Sequence, residues 1–279
     1  MAIDKYTAVW VSHSSMGDFL KCPRCYYLHN IYKNPKTGKK VSLVSPAMSL
    51  GTAVHEVLEG LINYKAEDRM KQPLLKQYDE AWAKITGERG GFCTSEEECE
   101  MKERGKKMLG NVMKDPKFLT SKAIKIPNAH NDMPPNFYLS EDDNIILCGK
   151  IDWLEYIPET DMVKVIDFKT GKHEESGDSL QLPIYQLLLD KLQKRKVAGA
   201  AYWYLESGEF IEKKLPDIKE SFDKVYKVAK QVSDARKIKA FQCPKGEQGC
   251  FACRPYEKII KGEAKFLGNG EYGQELYMA

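Results

Sequence analysis

The 279-residue sequence has no long apolar run, and its mean hydropathy is −0.51. A membrane-spanning helix needs about 20 consecutive apolar residues, so no membrane span is expected. The stretch from Met1 to Lys5 lacks the apolar region of a secretory signal peptide, and we therefore expect a cytoplasmic location. A net charge of +3, from 43 Lys and Arg against 40 Asp and Glu, permits nucleic-acid binding without indicating it.

The length and composition fit one large domain. Hydrophobic residues make up 42% of the chain, which is enough for a sizeable core. We expect a single domain over residues 1–279. The stretch 64–122 is rich in helix-forming charged residues and is interpreted as a helical insertion. The tail after Gly262 is rich in glycine, and we expect it to be loosely ordered.

Two β-rich runs on either side of a Pro-Glu-Thr-Asp turn are the most informative feature of the chain. The runs are Asn144–Tyr156 and Met162–Phe168, and together they predict an antiparallel hairpin. Side chains alternate between the two faces of a strand, so Asp167 and Lys169 point the same way. Folding the hairpin at its turn brings Asp152 beside Asp167.

Paired carboxylates repel each other unless a cation lies between them, and hard oxygen ligands suit Mg²⁺ or Mn²⁺. Such an ion activates a bound water for attack on a phosphodiester. Lys169 can orient or deprotonate that water and stabilise the developing negative charge. The alternative is an ordinary surface hairpin with solvated charges, because an Asp-x-Lys sequence is common by chance.

Two predicted helices contribute further polar side chains. Gln181 and Tyr185 are four residues apart, so they share one face of a helix that begins near Ser179. They can hold a phosphate or a base, or they can be surface and half-buried core. The stretch Gly51–Ile62 predicts an amphipathic helix on which His55 lies beside the apolar stripe. A lone histidine in such a place is usually structural.

These short patterns, taken in order, resemble the RecB-like branch of the PD-(D/E)XK nucleases. A start with Ser-x-Ser, Cys-Pro-Arg and aromatic residues is also similar to that branch. The patterns are Gly51-x-x-x-His55, Gly149-x-x-Asp152, Asp167-x-Lys169 and Gln181-x-x-x-Tyr185, with Ser12–Ser15 and Cys22–Leu28 before them. Each pattern is degenerate alone, but their order and spacing together are specific.

The resemblance implies an α/β fold with the restriction-endonuclease-like core, a mixed central sheet flanked by helices. It implies a Mg²⁺- or Mn²⁺-dependent deoxyribonuclease, and an exonuclease more than an endonuclease. The site residues it implies are His55, Asp152, Asp167 and the backbone carbonyl of Phe168 as metal ligands, Lys169 as the catalytic lysine, and Gln181 and Tyr185 as contacts to nucleic acid.

The implied partner is DNA with single-stranded character. A helicase, or a CRISPR adaptation, recombination or repair protein, is a further implied partner. Two other functions stay open: a non-catalytic DNA-binding module of the same fold, and a zinc-stabilised adaptor. The presence of Asp152, Asp167 and Lys169 together favours the enzyme, because a binding module has no need of all three.

Eight cysteines in a chain without a visible signal peptide indicate metal binding more than disulfides. A zinc site can be built from the pairs Cys22/Cys25 and Cys250/Cys253. An iron–sulfur site can be built from one N-terminal cysteine and three C-terminal ones, Cys243 and the pair Cys250/Cys253, in the loop 243–256.

One subgroup of RecB-like nucleases joins its two chain ends through a [4Fe-4S] cluster. It includes the AddAB-type nuclease subunit and the CRISPR-associated adaptation exonuclease. By this resemblance the cluster is structural and its ligands are Cys22, Cys243, Cys250 and Cys253, with Cys25 in reserve and zinc as the alternative metal. The C-terminal triplet departs from the subgroup, in which the close pair comes first and the third cysteine follows it.

Overall fold

The computed structural model describes residues 5–126 and 133–279. Its α-helices are α1 (His13–Lys21), α2 (Pro23–Tyr26), α3 (Pro46–Gly60), α4 (Ala66–Arg69), α5 (Leu74–Trp82), α6 (Ser95–Lys114), α7 (Gln181–Leu192), α8 (Ile218–Lys237) and α9 (Arg254–Lys261). Its strands are β1 (Val9–Val11), β2 (Val41–Leu43), β3 (Asn136–Ser140), β4 (Ile145–Cys148), β5 (Trp153–Ile157), β6 (Met162–Lys169), β7 (Val197–Tyr204), β8 (Glu209–Lys213), β9 (Lys265–Asn269) and β10 (Glu275–Met278). Among the described helices, none is both long and apolar enough to cross a membrane.

A mixed four-stranded sheet, in the order β5-β6-β7-β8, forms the centre of the fold. Strand β6 pairs antiparallel with β5 and parallel with β7, and β8 pairs antiparallel with β7. Alternation along β6 sends Val163 and Val165 to one hydrophobic cluster and Ile166 and Phe168 to another. Both faces of the sheet are therefore buried.

Helices cover the two faces of this sheet. Helices α7 and α8 pack in the cluster that contains Val163 and Val165. Helices α3, α5 and α6 pack in the cluster that contains Ile166 and Phe168. The predicted α/β architecture, a sheet flanked by helices, is confirmed at this level, and the predicted hairpin turn between β5 and β6 is present.

The run from Asn144 to Tyr156 is two strands, so its prediction as a single strand was wrong. Strand β4 belongs to a second sheet, β1-β4-β3, whereas β5 belongs to the central one. The break lies at Gly149, where the chain passes so close to α7 that an added Cβ atom would lie 2.9 Å from Leu188 Cδ1. A side chain at this position would require the end of the Leu188 side chain to move.

The tail after Gly262 is ordered, which corrects the expectation of a loose segment. Strand β10 pairs parallel with β2 and antiparallel with β9, so the tail completes a third sheet. Buried Glu275 accepts hydrogen bonds from Asn34 Nδ2 and Tyr277 Oη, both at 2.9 Å. The glycines of the tail shape its turns, while its apolar residues pair with a strand more than 200 positions away.

The stretch 64–122 contains α4, α5 and α6 and is attached to the central sheet through Arg69. The Arg69 side chain is 4% exposed and donates hydrogen bonds to the carbonyls of four residues, Leu61, Tyr64, Leu119 and Ser121. Its guanidinium also lies 4.9 Å from the centre of the Trp153 ring, at the start of β5. One buried cation therefore ties the helical stretch to the β5–β6 hairpin.

We expect Arg69→Met to lower the free energy of unfolding by about 3 kcal/mol, because it leaves four carbonyl groups without their donor. Urea denaturation followed by circular dichroism measures this change. Arg195→Met is the matched control: Arg195 pairs with Asp161 on the surface, where an ion pair contributes roughly 0–1 kcal/mol. Equal effects of the two substitutions would show that Arg69 does not anchor the helical stretch.

Candidate active site

The two predicted acids lie side by side where β5 begins and β6 ends. Trp153 pairs with Ile166 in the antiparallel register, which places Asp152, one residue earlier, next to Asp167. The Asp152 side chain is 10% exposed and that of Asp167 is 3% exposed. Two carboxylates at such low exposure need positive partners, since each destabilises the charged form of the other.

Asp167 is held by three side chains on the α7 face of the sheet. Its Oδ1 atom accepts hydrogen bonds from Gln181 Nε2 at 2.7 Å and from Tyr185 Oη at 2.9 Å. Its Oδ2 atom lies 2.9 Å from Lys169 Nζ. Burial, followed by the neighbouring Asp152 carboxylate, raises the pKa of Asp167.

Lys169 has a partner for each of its three ammonium hydrogens. Besides Asp167, it donates to Glu175 Oε2 at 3.0 Å and to Gln181 Oε1 at 2.6 Å. The ammonium also lies 4.8 Å from the centre of the Tyr202 ring. Burial lowers the pKa of Lys169, but the Asp167 carboxylate and the other acceptors raise it overall. The lysine is therefore a fixed cation beside the acids.

His55 reaches the same place from helix α3. Its Nε2 atom lies 3.1 Å from the carbonyl oxygen of Phe168, and its Nδ1 atom lies 3.5 Å from Asp152 Oδ1. The Phe168 amide donates to Asp152 Oδ2 at 2.9 Å. The backbone of Phe168 thus contacts both side chains: its carbonyl faces the His55 imidazole and its amide binds the Asp152 carboxylate.

Glu59 is a member of the site that the sequence analysis did not assign. It lies one helical turn after His55, and its Oε1 atom is 3.1 Å from His55 Nδ1. His55, Glu59 and Asp152 each offer a ligand atom within 4.8 Å of the others. The sequence did carry a signal for Glu59: it lies four residues after His55, and this spacing brings the two side chains together on one helix face.

Glu175 and His13 were also missed. Glu175 accepts from Lys169, and its backbone amide donates to Tyr204 Oη at 2.8 Å. His13 Nε2 lies 3.4 Å from Ser179 Oγ, and burial lowers the pKa of this histidine. Glu175 belongs to no pattern of the sequence and His13 lies inside the Ser12–Ser15 pattern without having been assigned a role; the fold brings both near the lysine.

A cleft of about 760 Å³ opens on the His55 side of the acids. Asp152, Glu59 and Lys150 line it, and the Lys150 ammonium contacts Glu59 Oε2. Lys125 adds a second basic side chain to the wall. Asp167 and Lys169 do not line this cleft, and their side chains are 3% and 16% exposed.

Glycine makes two of the close approaches that build this site. At Gly51, the first residue of the Gly-x-x-x-His pattern, an added Cβ atom would lie 3.3 Å from Thr170 Oγ1. Gly149 lies three residues before Asp152, and an added Cβ atom there would lie 2.9 Å from Leu188 Cδ1 of helix α7. The glycines of two patterns therefore let α3 approach the end of β6 and let the β4–β5 connection approach α7.

A second donor group lies elsewhere, in a separate hydrophobic cluster with Leu28, Val41 and Tyr256. The sulfur atoms of four cysteines lie within 4.8 Å of one another, and the four are Cys22, Cys243, Cys250 and Cys253. Among the residues that the structure describes, Cys25 is buried nearby but does not belong to this group of four. Four thiols at this separation can bind a metal.

The sequence was compared with models of known families and with curated proteins. A model of the PD-(D/E)XK nuclease superfamily matches residues 10–257. The match spans both β5 and β6, the helices α3 and α7, and all four clustered cysteines. None of the curated proteins matches the chain.

The donors at the acids fit a hard divalent cation. Carboxylate oxygens, a backbone carbonyl and one imidazole are ligands that Mg²⁺ and Mn²⁺ accept. Burial lowers the pKa of His55, but hydrogen bonds to Asp152 and Glu59 raise it overall to about 10. Metal-binding histidines are neutral, so a cation at this imidazole replaces its proton.

We expect Asp152→Asn to weaken Mn²⁺ binding on the order of 100-fold, because the amide has the shape of the carboxylate without its charge. Isothermal titration calorimetry at pH 7 measures the affinity. Glu80→Gln is the control, since Glu80 pairs with Lys76 on the exposed side of α5. Unchanged affinity in Asp152→Asn would place the cation elsewhere. Glu59→Gln in the same titration tests whether Glu59 is a ligand.

Proposed function

The chain belongs to the PD-(D/E)XK nuclease superfamily, whose members are generally metal-dependent nucleases, and we propose that it is a deoxyribonuclease of the RecB-like branch. The observation that supports this best is the arrangement at the ends of β5 and β6. Asp152 and Asp167 lie together there, Lys169 contacts Asp167, and the Phe168 carbonyl faces His55. These are the residue types that metal-assisted phosphodiester hydrolysis requires.

The proposed ligands of Mg²⁺ or Mn²⁺ are His55, Asp152, Asp167 and the Phe168 carbonyl, and Glu59 joins them as a further acid of the cleft. Such an ion, when bound, would polarise a phosphoryl oxygen and lower the pKa of a bound water. The protein holds the acids through the strand pairing of β5 with β6 and through the amide of Phe168. Because Asp152 and Glu59 line the cleft, the scissile phosphate enters from their side.

Lys169 is proposed as the catalytic lysine. It donates to three acceptors, Asp167, Glu175 and Gln181, so its ammonium is fixed in direction. A fixed cation stabilises the negative charge that develops on the phosphate. Between the two roles expected from the sequence, charge stabilisation fits these contacts better than removal of a proton.

Gln181 and Tyr185 are proposed as positioning residues for Asp167. Both are buried, at 8% and 5% exposure, and both donate to Asp167 Oδ1. Gln181 also accepts from Lys169, so one amide joins the acid to the lysine. Contact of these two side chains with nucleic acid stays a prediction from the family resemblance.

The proposed substrate is DNA with single-stranded character, degraded from an end. Lys125 and Lys150 on the walls of the cleft provide positive charge for a phosphate chain. A helicase, or a recombination, repair or CRISPR adaptation protein, is proposed as the partner on the resemblance alone.

The proposed organisation is one nuclease domain over 1–279, with a helical insertion at 64–122 and a cysteine-bound metal at 243–256. Two features support it. Arg69 attaches the insertion to Trp153, and the cysteine loop meets Cys22 behind helix α1. The insertion supports the start of β5, and the metal ties distant parts of the chain together.

We expect Lys169→Ala to reduce cleavage on the order of 1,000-fold, because the fixed charge beside the phosphate is lost. The assay follows 5′- and 3′-labelled single- and double-stranded DNA in the presence of Mg²⁺ or Mn²⁺. Lys164→Ala is the matched control: Lys164 is on the same strand but faces away and pairs with Glu212. Full activity in Lys169→Ala would exclude the proposed chemistry.

An exonuclease needs a free end. We expect a linear single strand to be degraded while a covalently closed circle of the same sequence remains intact, because no terminus can enter the cleft of the acids. Gel electrophoresis of the two substrates under identical metal conditions distinguishes them, and the end label gives the direction. Cutting of the circle at a similar rate would assign an endonuclease instead.

A further inference from the structure

The four clustered cysteines carry an inference that is independent of the cleavage chemistry. The family resemblance implies a [4Fe-4S] cluster on Cys22, Cys243, Cys250 and Cys253. We propose that these cysteines hold a single zinc ion instead, because their sulfur atoms are too close together for a cluster. Three features of the site favour a single ion: the distances between the sulfur atoms, the hydrogen bonds that the sulfurs accept and the packing around them.

The separation of the sulfurs distinguishes one ion from a cube. With Zn–S bonds of about 2.3 Å, the corners of a tetrahedron lie about 3.8 Å apart. A [4Fe-4S] cluster has each thiolate on its own iron, so the thiolates lie roughly 6 Å apart. Here all four sulfurs lie within 4.8 Å of one another, and those of Cys250 and Cys253 are 3.8 Å apart. The cysteines fit the tetrahedron and not the cube.

Backbone amides already point at two of the sulfurs. Cys253 Sγ accepts from the amide of Cys250 at 3.2 Å, and Cys243 Sγ accepts from the amide of Lys245 at 3.4 Å. Gly246 and Gly249 have φ angles of +72° and +68°, which let the two turns close. Such donors fix the direction of a ligand and stabilise its thiolate form, as outer-shell hydrogen bonds do in metal sites.

The surroundings leave the sulfurs little room to move apart. Cys22 and Cys253 are fully buried, and Tyr256 and Ile259 of helix α9 pack in the same cluster. An added Cβ atom at Gly249 would lie only 3.2 Å from Cys253 Sγ. Inserting a cube would have to push the turn and the helix outward together, whereas a single ion fits between sulfurs already in place.

The donor set differs from the zinc set that the cysteine pairs suggest in the sequence. That set includes Cys25, whereas in the structure Cys243 lies beside the other three sulfurs. Cys25 is a buried neighbour whose pKa is raised to about 12, chiefly by burial. A buried, neutral thiol packs like a small hydrophobic side chain, which is the role that Cys25 has here.

The test is the metal content of the full-length chain, purified without oxygen from cells supplied with both iron and zinc. We expect about one zinc ion per chain by inductively coupled plasma mass spectrometry and no absorption near 400 nm. Replacement with Co²⁺ should give the visible bands of a tetrahedral thiolate complex. A brown protein with about four irons, or a protein without metal, would overturn the proposal.

Three variants test the ligand set. Cys243→Ala, which changes the least buried of the four, should lose the zinc, whereas Cys25→Ala and the exposed Cys93→Ala should keep it. Loss of zinc from Cys25→Ala would overturn the assignment. If Cys243→Ala fails to fold, the Co²⁺ spectrum of the parent still decides between tetrahedral coordination and a cluster. A brown parent that cuts DNA would reject this inference and leave the nuclease proposal intact.

Discussion

The fold depends on one unfavourable contact, the proximity of two carboxylates at the ends of β5 and β6. Asp152 and Asp167 are placed together by the strand register, and burial makes their mutual repulsion strong. Hydrogen bonds and positive charge from neighbouring elements offset this repulsion. Lys169 and helix α7 stabilise Asp167, while His55 of α3 and the Phe168 amide stabilise Asp152. A cation in the cleft, as proposed, would offset the same repulsion, and the oxygen donors there suit hard divalent ions.

Holding two like charges together requires a rigid frame, and the frame is built from close backbone approaches. Gly51 and Gly149 let α3 and the β4–β5 connection approach their neighbours, and an added Cβ atom would lie 3.3 Å from Thr170 Oγ1 at the first position and 2.9 Å from Leu188 Cδ1 at the second. Arg69 then fixes the start of β5 from outside, through four carbonyls and the Trp153 ring. The helical stretch 64–122 therefore supports the acids without contributing one of them.

Alternation of side chains made the hairpin and its acids predictable, because strand periodicity is a local property. The helix carrying His55 and the fold class followed from local patterns and from resemblance. Glu59 lies one helical turn after His55, but its proximity to Asp152 could not be predicted before the start of β5 was placed. The pairing of β10 with β2 joins residues more than 200 positions apart, so no local pattern could reveal it. The same holds for Glu175 and His13, which reach Lys169 only through the tertiary fold.

The two metal sites differ in chemistry but share a mechanical connection. Oxygen donors suit Mg²⁺ or Mn²⁺, whereas thiolates suit zinc. Helix α1 links them: Cys22 follows its last residue, and His13, its first, lies against Ser179 near Lys169. With nine residues at about 1.5 Å each, α1 spans roughly 13 Å. The proposed ion at the cysteines would therefore fix one end of a helix whose other end packs near Lys169, the proposed catalytic lysine, and would link a structural metal to the order of the candidate active site.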